Sequence, residues 1–348
     1  MASNKLRVAI LGASGYTGAE LVRLLSRHPH VTIAALTADR QAGKPAAEVF
    51  PHLQVRDLPT LTKIDELDWG AIDFVFCCLP HGLTQEVIAK LPRHLRIVDL
   101  SADFRLFDVS AYATWYGHEH HAPELQKEAV YGLTEINREA VRKARLVANP
   151  GCYPTAAQLP LIPLLADKLI DADDIIIDAK SGVSGAGRDA KLGSLYSEVT
   201  EGIHAYGIAG HRHAPEIEQG LSEAVGRPII VNFTPHLMPM SRGILATIYV
   251  KMAPGVTVDR LRDALAERYR SEYFLRVLPN GAAPATRHVR GSNFCLMSVH
   301  ADRVANRAIL MSVEDNLVKG ASGQAVQNMN VMAGFPEETA LEQLPMFP

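Results

Sequence analysis

The stretch with the most chemical potential is Ala148-Asn149-Pro150-Gly151-Cys152-Tyr153-Pro154-Thr155. A strand-like run ends at Ala148. A helix is expected to begin near Pro154 and run through Leu159 and Leu161, because proline is favoured in a first helical turn. Cys152 then stands at or just before a helix N-terminus, where the dipole and free N–H groups favour thiolate over thiol. Gly151 leaves room for an approaching carbonyl, and the first-turn N–H groups can hold a developing oxyanion. A Pro-Gly turn can equally bury an inert cysteine. The other cysteines, Cys77, Cys78 and Cys295, lie in apolar runs and read as packed strand residues. Their spacing forms no CxxC pair and no zinc pattern, so no metal site is expected.

A proton carrier is the next requirement. Gly210-His211-Arg212-His213-Ala214-Pro215-Glu216-Ile217 holds two histidines around an arginine. In an extended segment both rings would point the same way, and histidine suits proton transfer at neutral pH. His213 is the favoured acid/base with His211 beside it, and Arg212 and Glu216 are candidate substrate or phosphate contacts. The bland alternative is a solvated polar turn. In Asp99-Leu100-Ser101-Ala102-Asp103-Phe104-Arg105, Arg105 could clamp an anion bidentately, with Ser101 and Asn149 as further phosphate or substrate contacts. Ser181-Gly182-Val183-Ser184-Gly185-Ala186-Gly187-Arg188 is a Gly/Ser loop after a strand. Gly182, Ser184 and Gly185 could form an anion nest or approach a nicotinamide closely. Either loop could be plain turn chemistry.

A dinucleotide site is readable at the start. Leu6–Leu11 runs into Gly12-Ala13-Ser14-Gly15-Tyr16-Thr17-Gly18, which opens a helical pattern. Glycines at this strand–loop–helix junction allow a tight turn and let the backbone reach a pyrophosphate. The helix N-terminus then supplies N–H groups to the phosphates. The second strand ends in Thr37-Ala38-Asp39-Arg40. Asp39 would suit a free ribose hydroxyl, whereas Arg40 with Thr37 and Lys44 would suit a 2′-phosphate, so these residues leave NAD and NADP open. A thiolate beside a nicotinamide points to acyl reduction. Cys152 would attack an acyl phosphate and expel phosphate, and hydride would turn the thioester into an aldehyde through a thiohemiacetal.

These residues need a scaffold. The chain has 348 residues, a formal net charge of −3 and 47% hydrophobic residues, which suits a globular protein of about two domains. The charge gives no basic footprint for nucleic acid. No apolar run reaches the about 20 residues of a membrane span, and no apolar signal region follows Met1, so the expected location is the cytoplasm. Residues 1–150 alternate short apolar strands (Leu6–Leu11, Val31–Leu36, Phe74–Leu79, Ile97–Leu100, Leu146–Ala148) with helical segments. That pattern predicts an α/β fold with a Rossmann-type, doubly wound parallel sheet. Residues 151–314 carry longer, more alternating strands (Asp174–Ala179, Ile229–Phe233, Leu245–Lys251, Phe294–Ala301) and a helix over Val256–Tyr269 with Thr257 as N-cap. They predict an α+β domain with a mostly antiparallel sheet. A C-terminal helix at 315–335 is expected to return to the first domain, with a loose tail after Phe335.

Taken together, Gly12–Gly18, Leu79-Pro80-His81-Gly82, Asp99–Arg105, Asn149–Thr155, Ser181–Arg188, His211–Ile217 and Glu314–Asn330 resemble the N-acetyl-γ-glutamyl-phosphate reductases, in order and over nearly the whole chain. The resemblance implies NADP(H), Cys152 as nucleophile, and the family's histidines at His211 and His213. It makes Leu79, Pro80 and His81 a mobile cofactor-contacting loop and places Asn316 near the nicotinamide. It also implies an acyl phosphate substrate, phosphate as product, and a homodimer or homotetramer. Sister reductases acting on aspartyl phosphate or a carrier-bound aminoadipyl phosphate, a non-catalytic NADP-binding regulator and a metal hydrolase are the competing readings.

Overall fold

The computed structural model describes residues 5–347, which divide into two compact units: 5–150 with 321–342, and 151–320 with 343–347. Residues 315–320, expected in the returning helix, therefore belong to the second unit.

In the first unit, seven strands form one sheet: β1 (Leu6–Leu11), β2 (Val31–Thr37), β3 (Leu61–Thr62), β4 (Phe74–Cys77), β5 (Arg96–Asp99), β6 (Val130–Tyr131) and β7 (Leu146–Ala148). The order is β3-β2-β1-β4-β5-β7-β6 and every pairing is parallel. Val8–Leu11 and Val75–Cys77 are fully buried, as strands covered on both faces must be. The two-residue strands β3 and β6 carry too little periodicity to be read from sequence.

The Gly323–Ala333 helix belongs to this unit and is buried despite its polar composition. Its amides have internal partners. Gln324 and Asn328 donate to the Gly132 carbonyl (3.1 and 2.8 Å), Gln327 to Glu135 (2.9 Å), and Asn330 to the Glu337 and Thr339 carbonyls. These last bonds, an Arg138–Glu337 ion pair and a fully buried Leu341 tie down a segment expected to be loose after Phe335.

The second unit holds a mixed sheet of β8 (Ile170–Gly182), β9 (His204–Ala205), β10 (Asn232–Met238), β11 (Ile244–Met252), β12 (Leu275–Val277), β13 (Cys295–Ala301) and β14 (Arg307–Glu314). The order is β12-β13-β14-β11-β8-β10-β9, with β8–β10 and β12–β13 parallel and the other pairs antiparallel. The Cys152–Ala166 and Val258–Arg268 helices pack against this sheet, the latter capped by Thr257 as expected. Strand alternation puts Ile175, Ile177, Ala246, Ile248 and Leu310 in the core. It leaves Ile176, Leu245, Tyr249, Ile309 and Met311 half-buried on the opposite face. β10 begins later than expected: Ile229–Val231 supply apolar residues without ladder pairing. Among the described residues no helix is long and apolar enough to cross a membrane.

The Cys152–Ala166 helix contains Pro160 and Pro163. Proline removes the N–H that would bond the carbonyl four residues back. The Leu159 carbonyl freed by Pro163 instead accepts the Tyr269 hydroxyl at 2.6 Å. The helix is thereby kept intact behind its first residue, Cys152.

Candidate active site

The first unit supplies a nucleotide cradle. β1 ends in Gly12, at φ +79°, where a Cβ would lie 2.4 Å from the Cys78 carbonyl oxygen. At Gly18 it would lie 2.6 Å from Ala13 Cα. Gly15 is the N-cap of the Tyr16–Leu25 helix and offers no side-chain cap, and a Cβ there would meet the Gly12 carbonyl oxygen at an ordinary 3.7 Å. First-turn N–H groups lack intrahelical acceptors and are suited to phosphate. Ser14, Tyr16 and Thr17 stand on this same turn, at the surface or half-buried. This arrangement fits a dinucleotide. Thr37 departs from expectation: it is buried, its hydroxyl accepts the Gly12 N–H (3.3 Å) and its carbonyl accepts that of Ala13 (2.8 Å). It braces the loop from below, whereas Asp39 and Arg40 are exposed beyond it.

The Leu79–Gly82 segment, expected to be mobile, is held. His81 Nδ1 accepts the Ala102 N–H (2.9 Å), and the buried Asp103 carboxylate accepts Gly82 and Thr84 N–H groups at 2.8–3.0 Å. The Tyr112 hydroxyl completes that carboxylate's set at 2.8 Å. Pro80 and His81 remain exposed on this tether.

Three residues expected to meet ligand are turned inward. Ser101 donates to Asp99 (2.7 Å), a wholly buried carboxyl that burial pushes up to about 7. Arg105 donates from Nε to the Asn149 carbonyl (2.8 Å) and from Nη2 to that of Leu100 (2.9 Å). Asn149 in turn spans the Ala321 carbonyl and Asn328. Arg105 thereby satisfies the carbonyls just past β5 and β7, which burial this deep requires.

The second unit carries the nucleophile. Cys152 is the first residue of its helix, half-buried, and its N-cap Gly151 is extended with no side-chain cap. The helix starts two residues earlier than proline preference suggested, which places the sulfur directly at the dipole's positive end. Glu216 is buried, and its Oε1 accepts the Gly151 N–H at 2.7 Å. That bond ties it to the residue before the nucleophile. At Gly320 a Cβ would lie 2.7 Å from both Cys152 Cβ and Glu314 Oε1. Gly320 closes a wide turn onto the Asp315 carbonyl (3.0 Å) within a π-helical segment, Val318–Ser322. Such segments recur at functional sites. It replaces the single helix expected over Asp315–Val331.

The histidines meet, though through a turn and not along an extended strand. The His213 N–H donates to His211 Nδ1 at 3.0 Å, the ring centroids are 4.9 Å apart, and His213 is the N-cap residue of the Ala214–Val225 helix. Tyr153 lies edge-on to both rings, and its hydroxyl is 2.9 Å from that of Tyr206. Burial, with the Arg212 charge adding to it, pushes His211 down to about 4, so it is a neutral acceptor. Burial pushes Tyr206 up to about 12. Arg212 itself is exposed. Asn316 is buried, accepting the Gly243 N–H (2.8 Å) and donating to Ser184 Oγ (2.9 Å). It thus joins the Gly182–Gly185 loop across more than a hundred residues. Gly182 lies so close to Ser241 and Arg242 that a Cβ would clash at 2.8 Å.

Tyr153, Tyr206, Glu314 and Gly320 escaped the sequence reading of the site. Adjacency to Cys152 is the local signal that could have pointed to Tyr153, and Tyr206 has no such signal.

Comparison with known proteins now gives the class. Residues 7–144 match the NAD binding domain of semialdehyde dehydrogenases, and residues 152–316 match the semialdehyde dehydrogenase dimerisation domain. The aspartate semialdehyde dehydrogenase II of Vibrio cholerae, solved in complex with ASA, shares the fold with a TM-score of 0.71 at 18% identity, over 95% of this chain and 99% of that one. The Candida albicans aspartate semialdehyde dehydrogenase with NADP gives 0.67 at 17% identity, over 94% and 98%.

Much nearer relatives fix the particular group. The N-acetyl-gamma-glutamyl-phosphate reductase of Rhodospirillum rubrum is 68% identical over 99% of this chain and 100% of its own length. A probable chloroplastic N-acetyl-gamma-glutamyl-phosphate reductase of Oryza sativa is 61% identical over 99% of this chain and 83% of its own. The chain belongs to the N-acetyl-gamma-glutamyl-phosphate reductase family and is an oxidoreductase with an NAD-binding domain.

Proposed function

We propose that this chain reduces N-acetyl-L-glutamyl 5-phosphate to N-acetyl-L-glutamate 5-semialdehyde and phosphate, using NADPH and a thioester on Cys152, as a step of arginine biosynthesis. The observation that carries the reading is Cys152 at the mouth of its helix, with the Gly320 backbone packed too closely against it for a Cβ and two histidines on the adjoining Tyr153 ring.

Cys152 Sγ attacks the acyl carbon as His213 takes the thiol proton. The first-turn N–H groups hold the oxyanion, and the C–O bond to phosphate breaks with that proton passing to the leaving group. When bound, NADPH supplies the hydride that reduces the thioester. The same N–H groups hold the thiohemiacetal oxygen. Its electron pair then expels Sγ to give the aldehyde, and solvent restores the thiol proton through His213. His211 orients its neighbour, since its Nδ1 is already engaged and it resists protonation. The glycine turn 12–18 would hold the pyrophosphate, Arg40 the 2′-phosphate, and Gly182, Ser184, Gly185 and Asn316 the nicotinamide end; Leu79, Pro80 and His81 would also contact the cofactor.

A homodimer through the open face of the second sheet, paired further into a homotetramer where that occurs, suits the half-buried apolar residues Ile176, Leu245, Tyr249, Ile309 and Met311. The function is tested by phosphate-dependent NADP reduction with N-acetylglutamate semialdehyde against aspartate semialdehyde. A preference of at least about a hundredfold in kcat/KM for the first is expected. Equal or reversed preference would overturn the substrate assignment.

A further inference from the structure

The turn between β10 and β11 forms one wall of a second feature in the same unit. It is a cavity of about 220 Å³ lined by Met240, Ser241, Arg242, Thr286, Arg287 and Arg290. Three of the six lining residues are arginines. The Asp315 carboxylate lies 3.6 Å from Arg242, and its oxygens are already engaged. Oδ2 accepts the Gly291 N–H at 2.6 Å, and Oδ1 accepts those of Leu317 and Val318. Arg290 Nε is buried and has no hydrogen-bond partner. A buried ionic donor without an acceptor is costly, so its persistence in a cavity calls for an anion.

The cavity is built into the fold. Gly243, at φ +116°, lets the turn close on Thr286, where a Cβ would lie 2.7 Å from the threonine's own. Its N–H donates to Asn316 and its carbonyl accepts the Gly182 N–H (2.9 Å). The arginines therefore share a wall with the Gly182–Ser184–Asn316 cluster.

The substrate of the function proposed above carries two anionic groups. The acyl phosphate must face Cys152 and leaves during the reaction. The α-carboxylate lies at the other end of the carbon chain and stays. Guanidinium forks match a planar carboxylate bidentately. We infer that Arg242, Arg287 and Arg290 form the subsite for the substrate's α-carboxylate. The inference rests on the proposed function and names the group that distinguishes its substrate from an uncharged aldehyde.

Steady-state kinetics of the full-length protein in the oxidative direction test this, with semialdehyde, inorganic phosphate and NADP varied in turn. Arg290→Gln and, separately, the more exposed Arg287→Gln are compared with wild type. Each is run on N-acetylglutamate semialdehyde and on its analogue with the α-carboxylate replaced by a carboxamide. Arg290→Gln should lower kcat/KM for the semialdehyde about 10- to 100-fold, the value of a charged hydrogen-bonded pair, while KM for phosphate and for NADP stays within about twofold. Wild type should lose a similar factor on the carboxamide, and Arg290→Gln should lose little more. A defect confined to KM for phosphate or NADP would reassign the cavity to a phosphate group and overturn the inference. So would unchanged kcat/KM in both variants, or full additivity of variant and carboxamide. Circular dichroism and thermal midpoints identify a variant that has not folded, in which case Arg287→Gln decides. If wild type fails on the semialdehyde itself, the proposed function falls; if wild type works and the variants match it, only the subsite falls.

Discussion

The Glu216 carboxylate accepts the main-chain N–H of Gly151 at 2.7 Å, tying the residue before the nucleophile to the histidine-bearing segment 65 positions later. The Gln158 side chain adds to the same join by donating to the Glu216 carbonyl at 2.7 Å. Glu216→Ala should leave the Gly151 N–H buried without an acceptor and cost about 1–3 kcal/mol of stability. Glu216→Gln keeps an acceptor oxygen and should retain most of that stability. Urea denaturation of the two variants checks the order. Equal losses would show that the carboxylate oxygen is not what matters there.

Gly320 tests the space beside the sulfur. Gly320→Ala places a Cβ 2.7 Å from Cys152 Cβ and from Glu314 Oε1, closer than such contacts permit. A displacement of about 1 Å at the reacting sulfur should lower kcat about 100-fold. Gly193→Ala, where a Cβ meets nothing within 4 Å, should leave turnover unchanged.

A half-buried histidine and a buried carboxyl impose opposite pH dependences on stability. His211 is held down to about 4 in the folded state. As pH falls from about 6.5 to about 4, the unfolded chain gains a proton that the folded chain refuses, so stability falls by up to about 1.4 kcal/mol per pH unit. Asp99 is pushed up to about 7. Between its unfolded pKa near 3.9 and about 7 the folded state binds the extra proton, so stability falls as pH rises. Denaturation midpoints from pH 4 to 7.5 should show a shallower acid-side loss in His211→Gln than in wild type, and a shallower loss toward neutral pH in Asp99→Asn. Slopes matching wild type in both would contradict these assignments.

Asp103 anchors the Leu79–Gly82 segment through three contacts to backbone N–H groups, at Gly82 twice and at Thr84. Asp103→Asn turns one acceptor into a donor and should release the segment. KM for NADP should rise about tenfold, the value of one or two charge-assisted bonds, with a much smaller change in kcat. A fall in kcat at constant KM would instead place Asp103 in the chemical step.

Much of the site was legible because it lies in contiguous stretches. Gly12–Gly18 sits between a continuously apolar strand and a helical period, and Cys152 follows a Pro-Gly junction, so local rules indicated a turn into a helix at both, although the second helix starts at Cys152 itself and not at the proline. Residues whose type implies ligand binding were harder. Arg105, Ser101, Asn149 and Glu216 have the right chemistry for anions, yet burial turns their hydrogen bonds onto the protein's own carbonyls, carboxyls and N–H groups. Sequence spacing does not report that burial. The Tyr153–Tyr206 pair and the approach of Gly320 and Glu314 to Cys152 depend on sheet topology and on a π-helical turn, which leave no periodic trace. The polar helix Gly323–Ala333 was placed by its small residues, but its burial depends on amide partners such as Gly132 and Glu337 that only the folded chain brings near.

The central claim is a covalent acyl-enzyme on Cys152. Mixing the protein with N-acetylglutamyl phosphate in the absence of NADPH should release a burst of about one phosphate per active site, because acylation precedes reduction. Mass spectrometry should then find the acyl adduct on the peptide containing Cys152, and Cys152→Ser should show neither burst nor adduct. Turnover by Cys152→Ser at a rate near wild type, or phosphate release that appears only with NADPH and leaves Cys152 unmodified, would contradict the account.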